Sequence, residues 1–265
     1  MIRDITLGQY YGVESPIHRL DPRIKIIATI LFIVELFLVD SFVGFAVSIA
    51  ALGTVVAVSK VPLSFIMRGL KPILLIIIFT FCLNIFMTSG QVLWQWGFLK
   101  ITKEGLYMAA FMALRLVLLI IGSSLLTLTT KPIGLTDGIE RLLGPLSHVG
   151  VPAHEIAMMM SIALRFIPTL LEETDKIMKA QQARGADFES GNILNRAKAL
   201  IPILVPLFIS AFRIAQDLAM AMEARCYRGG KGRTRMHAMK MQGRDYTAMV
   251  LMALFLAAIV LMKIY

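Results

Sequence analysis

Long apolar blocks separated by short polar ones dominate the first half of the chain and return at its end. Nearly uninterrupted apolar stretches cover residues 24–39, 42–58, 73–88, 106–126 and 246–262. A helix needs about 20 apolar residues to cross the hydrocarbon of a bilayer, with about 17 as a lower bound, so the pattern predicts five transmembrane helices. The first and third are short and require flanking side chains to snorkel toward the interface. Trp94 and Trp96 follow the third stretch, where an aromatic belt is expected.

Between 127 and 245 the pattern changes to helices broken by proline and glycine. Helical periodicity covers 134–143, 154–184 and 193–225, punctuated by Pro145, Pro152, Pro168, Pro202 and Pro206. Two of these helices hold apolar runs, 156–171 and 199–212, but each contains an internal Arg or Pro and continues as a polar helix. If both crossed, residues 172–198 with their many charges would lie outside. The expectation is therefore long helices at the inner membrane surface, one face apolar and one basic; a seven-span arrangement is the alternative. The fold class is an all-α integral membrane protein with about five transmembrane helices plus long cytoplasmic helices. It divides into an N-terminal membrane region with four spans (1–126), a cytoplasmic or interfacial region (127–245) and a C-terminal span (246–265).

Composition agrees with this reading, since 57% of the 265 residues are hydrophobic and only 17% charged, too apolar for an ordinary soluble domain. The net charge of +10 would suit a nucleic-acid binder, but its distribution points elsewhere. With a cytoplasmic N-terminus, 23 of the 27 Lys and Arg fall on inner segments, whereas the outside receives Lys100, Lys103 and Lys263. The positive-inside rule thus predicts an N-terminus inside and a C-terminus outside, in the cell membrane of a prokaryote, with lipid and not nucleic acid as the neighbour. No charged start leads directly into a short apolar run and a cleavage site, so no removed signal peptide is expected. Cys82 and Cys226 are too few for a disulfide framework, and Cys226 reads as a free thiol.

Candidate chemistry is sparse. Gly229-Gly230-Lys231-Gly232 is no phosphate loop, because Arg225 stands where the earlier glycine belongs and Gly232 replaces the required Ser or Thr. ATP binding by this chain itself is not expected, nor is a metal site. His18 and Asp21 lack further ligands and read as capping the first span. His148, His154 and Glu155 form no metal-binding motif, and Ser123-Ser124 lacks a general base and reads as helix packing. Arg115 lies mid-span, where an unpaired Arg costs about 2.5–3.5 kcal/mol, and Glu35 is its best candidate partner; a role at a protein-facing surface is the alternative. Met158, Met159 and Met160, with Met220 and Met222, offer either an adaptable partner surface or ordinary apolar packing.

One repetition stands out. A charged helical run closes on Ala183-Arg184-Gly185 and again, 41 positions later, on Ala224-Arg225-Cys226. Gly185 suits a left-handed residue after the helix end, and Arg184 and Arg225 would project from the two tips, able to make bidentate contacts with a docked protein. An isolated terminal Arg more simply caps its helix through the dipole. Two matched ends suggest a partner with two equivalent pockets. Cys226 would be strained if its position requires a positive φ.

These features resemble, over essentially the whole chain, the transmembrane T component of energy-coupling factor transporters, importers of the ATP-binding cassette class. The resemblance rests on His18-Arg19-Leu20-Asp21-Pro22-Arg23 before the first span, on Leu164-Arg165-Phe166-Ile167-Pro168 followed by Glu172-Glu173-Thr174-Asp175-Lys176, and on the two Ala-Arg ends. It implies a non-catalytic scaffold whose cytoplasmic coupling helices join two ATPase subunits to one or several interchangeable substrate-binding S components, for uptake of vitamins or other micronutrients. ATP and Mg would sit on the ATPases, with no cofactor in this chain. Arg184 and Arg225 correspond to the family's ATPase-docking arginines, and Cys226 departs from the usual glycine. A permease that binds and translocates its own substrate is the alternative; it should show broken helices or paired half-sites at the midplane, and only Arg115 and Glu35 are charged candidates there. An intramembrane hydrolase would need a nucleophile with its base or a metal set, and neither is found.

Overall fold

The computed structural model describes residues 10–96, 99–186, 188, 193–230, 239 and 241–264. Among them the chain is helical apart from one hairpin. The helices are α1 (Pro22–Leu38), α2 (Phe42–Ser59), α3 (Leu63–Leu70), α4 (Leu74–Met87), α5 (Lys103–Thr129), α6 (Pro132–Leu143), α7 (Ala153–Ala183), α8 (Ile193–Ala224) and α9 (Gly243–Ile264), with a 3-10 turn at Gly144–Val149. The described residues fall into two compact units, 10–138 with 239–264, and 139–230.

The first unit is built around α5, which packs against α1, α2, α3 and α4. Side-chain caps set where its helices start. Asp21 accepts from the Arg23 amide at the start of α1, Ser41 from Gly44 at α2, and Thr102 from Gly105 at α5. Leu36, Phe45, Leu52, Phe111, Leu118, Leu125 and Ile259 form the core between these helices and α9. The opposite faces remain apolar: α4 buries none of its residues and presents Leu75 at 75% and Met87 at 77% exposure. Water would penalise such a surface at roughly 25 cal/mol per Å², so the solvent these faces fit is hydrocarbon.

Two contacts fix the direction of α9. The Asp245 carboxylate at its start accepts from the Asp21 amide at the start of α1 (2.9 Å). At its far end Lys263 pairs with Asp40, just beyond the end of α1 (3.0 Å). α1 and α9 therefore run in the same direction.

Among the described residues five helices are long and apolar enough to cross a membrane, over 42–59, 103–129, 153–183, 199–224 and 243–263. Three coincide with expected spans. α1, with 17 residues, and α4, with 14, are shorter than the about 20 residues a crossing takes, as their brief apolar stretches foreshadowed. α3 and α4 together would suffice, bent by 59° at their junction. α7 and α8, expected at the membrane surface, meet the length and apolarity condition as well. The segment after α4, expected as a loop, forms an antiparallel hairpin of β1 (Val92–Trp96) and β2 (Leu99–Thr102), with a bulge between Val92 and Trp94. The indoles of Trp94 and Trp96, and Lys231 and Gly232, lie outside what is described.

In the second unit α7 packs on α8. Pro168 lies inside α7, and Pro202 and Pro206 inside α8, none of them ending its helix.

Candidate functional site

The end of α7 is a complete Schellman cap. Arg184 is the last half-helical residue (φ −88°), Gly185 takes φ +87°, the Gly185 amide donates to the Gln182 carbonyl (2.9 Å), and the Ala186 amide donates to Gln181 (3.0 Å). The end of α8 repeats it position for position, 41 residues on. Cys226 takes φ +54°, its amide donates to Glu223 (2.8 Å), and the Tyr227 amide donates to Met222 (3.0 Å). The sequence repetition is thus a repetition of backbone geometry, with Arg184 and Arg225 in the same cap position. Cys226 adopts the left-handed conformation that glycine supplies without steric cost at 185.

Both arginines are exposed, and among the described residues neither guanidinium has a hydrogen-bond or ion-pair partner. The cap's carbonyls are satisfied by backbone amides, so the side chains are not spent on capping. Each is a planar, permanently charged fork held at the tip of a long helix.

Two hydrogen bonds show how the tips are disposed. Near the end of α7, the Gln181 side-chain amide donates to the Pro202 carbonyl in α8 (3.4 Å). Near the start of α7, His154 meets Tyr227, just past the end of α8 (3.3 Å). The path from 154 to 181 and the return from 202 to 224 therefore run in opposite directions, over about 40 and 33 Å at ~1.5 Å per residue. Arg184 and Arg225 stand at opposite ends of this antiparallel pair, separated by a distance on the order of 35 Å.

The imidazole of His154 sits in a cluster that sequence spacing did not reveal. Its Nδ1 meets Glu140 Oε1 on α6 (3.1 Å), and its Nε2 meets the Tyr227 hydroxyl. A carboxylate only accepts, so Nδ1 donates to Glu140, while the Tyr227 hydroxyl faces Nε2. Glu140 and Tyr227 lie 14 and 73 positions from His154. The adjacent Glu155, which drew attention in the sequence, is exposed on another face.

Among the methionines, Met159 and Met220 are exposed, whereas Met158, Met160 and Met222 are partly covered. An adaptable surface would thus rest on the first two.

The ion pair expected between Arg115 and Glu35 is not formed. Arg115 Nη2 donates to the Val39 carbonyl at the end of α1 (2.9 Å), and its guanidinium lies over the rings of Phe37 and Phe45 (5.7 and 6.0 Å). A helix C-terminus offers orphan carbonyls and the negative end of the dipole, so the cation binds one turn beyond Glu35. Among the described residues Glu35 Oε1 and Arg115 Nε are both buried without a partner. Glu35 instead lines an apolar cavity of about 540 Å³, whose walls include Lys25, Phe32, Leu52, Leu125 and Phe255.

Before α1, Asp21 caps the helix as expected, whereas the His18 ring, also expected as a cap, bonds within its own segment. His18 is held between Ser15 Oγ (2.7 Å) and the Tyr11 carbonyl (2.9 Å), while Asp21 forks onto the Arg23 guanidinium (2.7 and 3.0 Å). Burial pulls the His18 imidazole below its ordinary pKa.

Fold and tips together define an all-α polytopic membrane protein. The comparisons make the family specific. Residues 13–237 match the CbiQ family, described as cobalt transport protein. The chain is 59% identical to the energy-coupling factor transporter transmembrane protein EcfT of Clostridium kluyveri, over 100% of its own length and 99% of that protein's. It is 60% identical to EcfT of Thermosediminibacter oceani over 94% of each chain, and 50% identical to EcfT of Bacillus subtilis over 98% of each. The chain belongs to this family, the transmembrane components of energy-coupling factor transporters.

Proposed function

We propose that this chain is the non-catalytic scaffold of an energy-coupling factor importer, joining two ATP-binding cassette ATPases to a substrate-binding S component that takes up a vitamin or another micronutrient. The observation that carries the proposal is the pair of helix tips closed by the same cap hydrogen bonds, each offering an exposed arginine with no partner among the described residues, at opposite ends of one antiparallel helix pair. A dimeric ATPase has two equivalent pockets separated in space, which two equivalent and separated plugs fit. ATP and Mg belong to the ATPases, and this chain breaks no bond. Closure of the ATPase dimer on ATP shifts the docked tips relative to one another, and α7 and α8 convert that shift into movement of the S component. Met159 and Met220, with the partly covered Met158, Met160 and Met222, offer that component an adaptable apolar surface.

The orientation that fits is N-terminus inside and C-terminus outside. Parallel α1 and α9 support it, because two spans running the same way leave the chain's ends on opposite sides. The antiparallel pair α7–α8 returns the chain to its starting side, so lying along the inner surface, where both tips can reach the ATPases, it keeps this orientation.

The test is Arg184→Glu with Arg225→Glu in the assembled transporter. The double variant inserts normally, loses co-purifying ATPases or hydrolyses ATP without uptake, and each single variant is affected less. Wild-type ATPase binding and uptake in the double variant would remove the proposal.

A further inference from the structure

The two tips are not held alike, and the difference lies in the cluster around His154. The α8 tip continues past Cys226 into Tyr227, whose amide is already committed to the cap and whose hydroxyl reaches His154 Nε2. Two residues further, the chain turns through Gly229 at φ +86°, and Gly230 then passes directly over the imidazole. A Cβ at Gly230 would lie 2.4 Å from His154 Cδ2, a distance no side chain tolerates, so only glycine allows this approach. From the other side Glu140, whose side chain is 14% exposed, fixes the ring through Nδ1. The imidazole is therefore gripped on three sides: by α6, by the tyrosine after the tip, and by the glycine backbone beyond it. Among the described residues nothing comparable follows Arg184, where the space around Gly185 is open.

We infer that His154 is a latch that ties the Arg225 tip to the first turn of α7, making α7 a single rod with the Arg184 tip at its far end and the Arg225 tip fastened at its near end. A displacement of one tip is then delivered to the other through the length of α7 and not only through the packing between the helices. His154, Tyr227 and Gly230 are positioning residues for the second tip. This also gives Gly229-Gly230 a function: the pair closes the latch instead of cradling a phosphate. The value of the latch rests on the docking role of Arg225, but its existence does not.

The test reads the latch in the full chain, in lipid nanodiscs, without ATPases. Spin labels are placed at native Cys226 and at Gln182→Cys, an exposed position at the other tip, with Cys82→Ser. A control pair at Val43→Cys and Val58→Cys, both exposed on α2, reports on the membrane unit in a Cys82→Ser, Cys226→Ala background. Tyr227→Phe keeps the ring and removes only the hydroxyl. Loss of one such hydrogen bond shifts the ratio of latched to unlatched molecules roughly two- to twelve-fold, broadening the 182–226 distance distribution. Gly230→Ala broadens it by pushing the backbone off the ring, and His154→Gln, which keeps a donor and an acceptor, broadens it less than His154→Ala. The control pair stays narrow throughout. An unchanged 182–226 distribution in Tyr227→Phe and His154→Ala overturns the latch. Broadening of both pairs together also overturns it, since the residues would then support the whole fold. Neither outcome touches the docking reading, which the Arg184 and Arg225 double variant tests by ATPase binding.

Discussion

Exchanging the residues at 185 and 226 isolates what a left-handed cap contributes to each tip. Both positions have positive φ, +87° for Gly185 and +54° for Cys226, in caps with the same hydrogen bonds. A left-handed L-residue costs roughly 1–2 kcal/mol. Glycine avoids that cost but surrenders about 0.5–1 kcal/mol more chain entropy on ordering. Cys226→Gly should therefore stabilise the second cap by a net ~0.5–1 kcal/mol, and Gly185→Ala should weaken the first by a similar amount. A Cβ at 185 meets no atom within 4 Å, so the loss there is conformational and not a clash. Where amides exchange by local opening, these energies correspond to about two- to five-fold changes in rate. Hydrogen exchange of the full chain in nanodiscs reads them at the capping amides: slower exchange at 226 and 227 in Cys226→Gly, faster exchange at 185 and 186 in Gly185→Ala. If both variants exchange as wild type does, left-handed strain does not govern how firmly the tips end, and the inequality assigned to Cys226 is wrong.

Two further outcomes follow from the membrane unit and its entry segment. Removing the Arg115 fork by Arg115→Met deprives the Val39 carbonyl of a charged donor worth about 1.5–3 kcal/mol, whereas Glu35→Gln breaks no ion pair and changes stability less; thermal unfolding in detergent that ranks Glu35→Gln as the more damaging contradicts the geometry. His18 has a folded-state pKa below its ordinary value of 6.5 because of burial, so the folded state binds its proton less readily than the unfolded one. The stability this contributes is complete above pH 6.5 and is lost as pH falls through the lowered folded-state value. Melting temperatures of wild type and His18→Gln between pH 7.5 and 5.5 should show a shallower acid-side decline in the variant; parallel curves refute the assignment.

The membrane character, the helical pattern and the paired Ala-Arg ends were legible in the sequence because each depends on neighbours in the chain. Apolar runs near 20 residues admit few structures in a bilayer, where every backbone group must be bonded internally. A cap is likewise decided within six residues, so the open stop at Gly185 and the strain at Cys226 could both be anticipated. Which cation meets which acceptor was not local. Arg115 was expected to choose a carboxylate, yet α1 ends beside it and presents a carbonyl with the helix dipole behind it. His154 gained its role from Glu140 and Tyr227, which only the packing of α6, α7 and α8 brings together. The sequence by itself thus determined that two like arginines end two like helices in a membrane protein. Tertiary structure alone decided that those helices run in opposite directions and place the arginines at opposite ends, because direction is set by long-range contacts such as Gln181 with Pro202 and Tyr227 with His154, which no local pattern encodes.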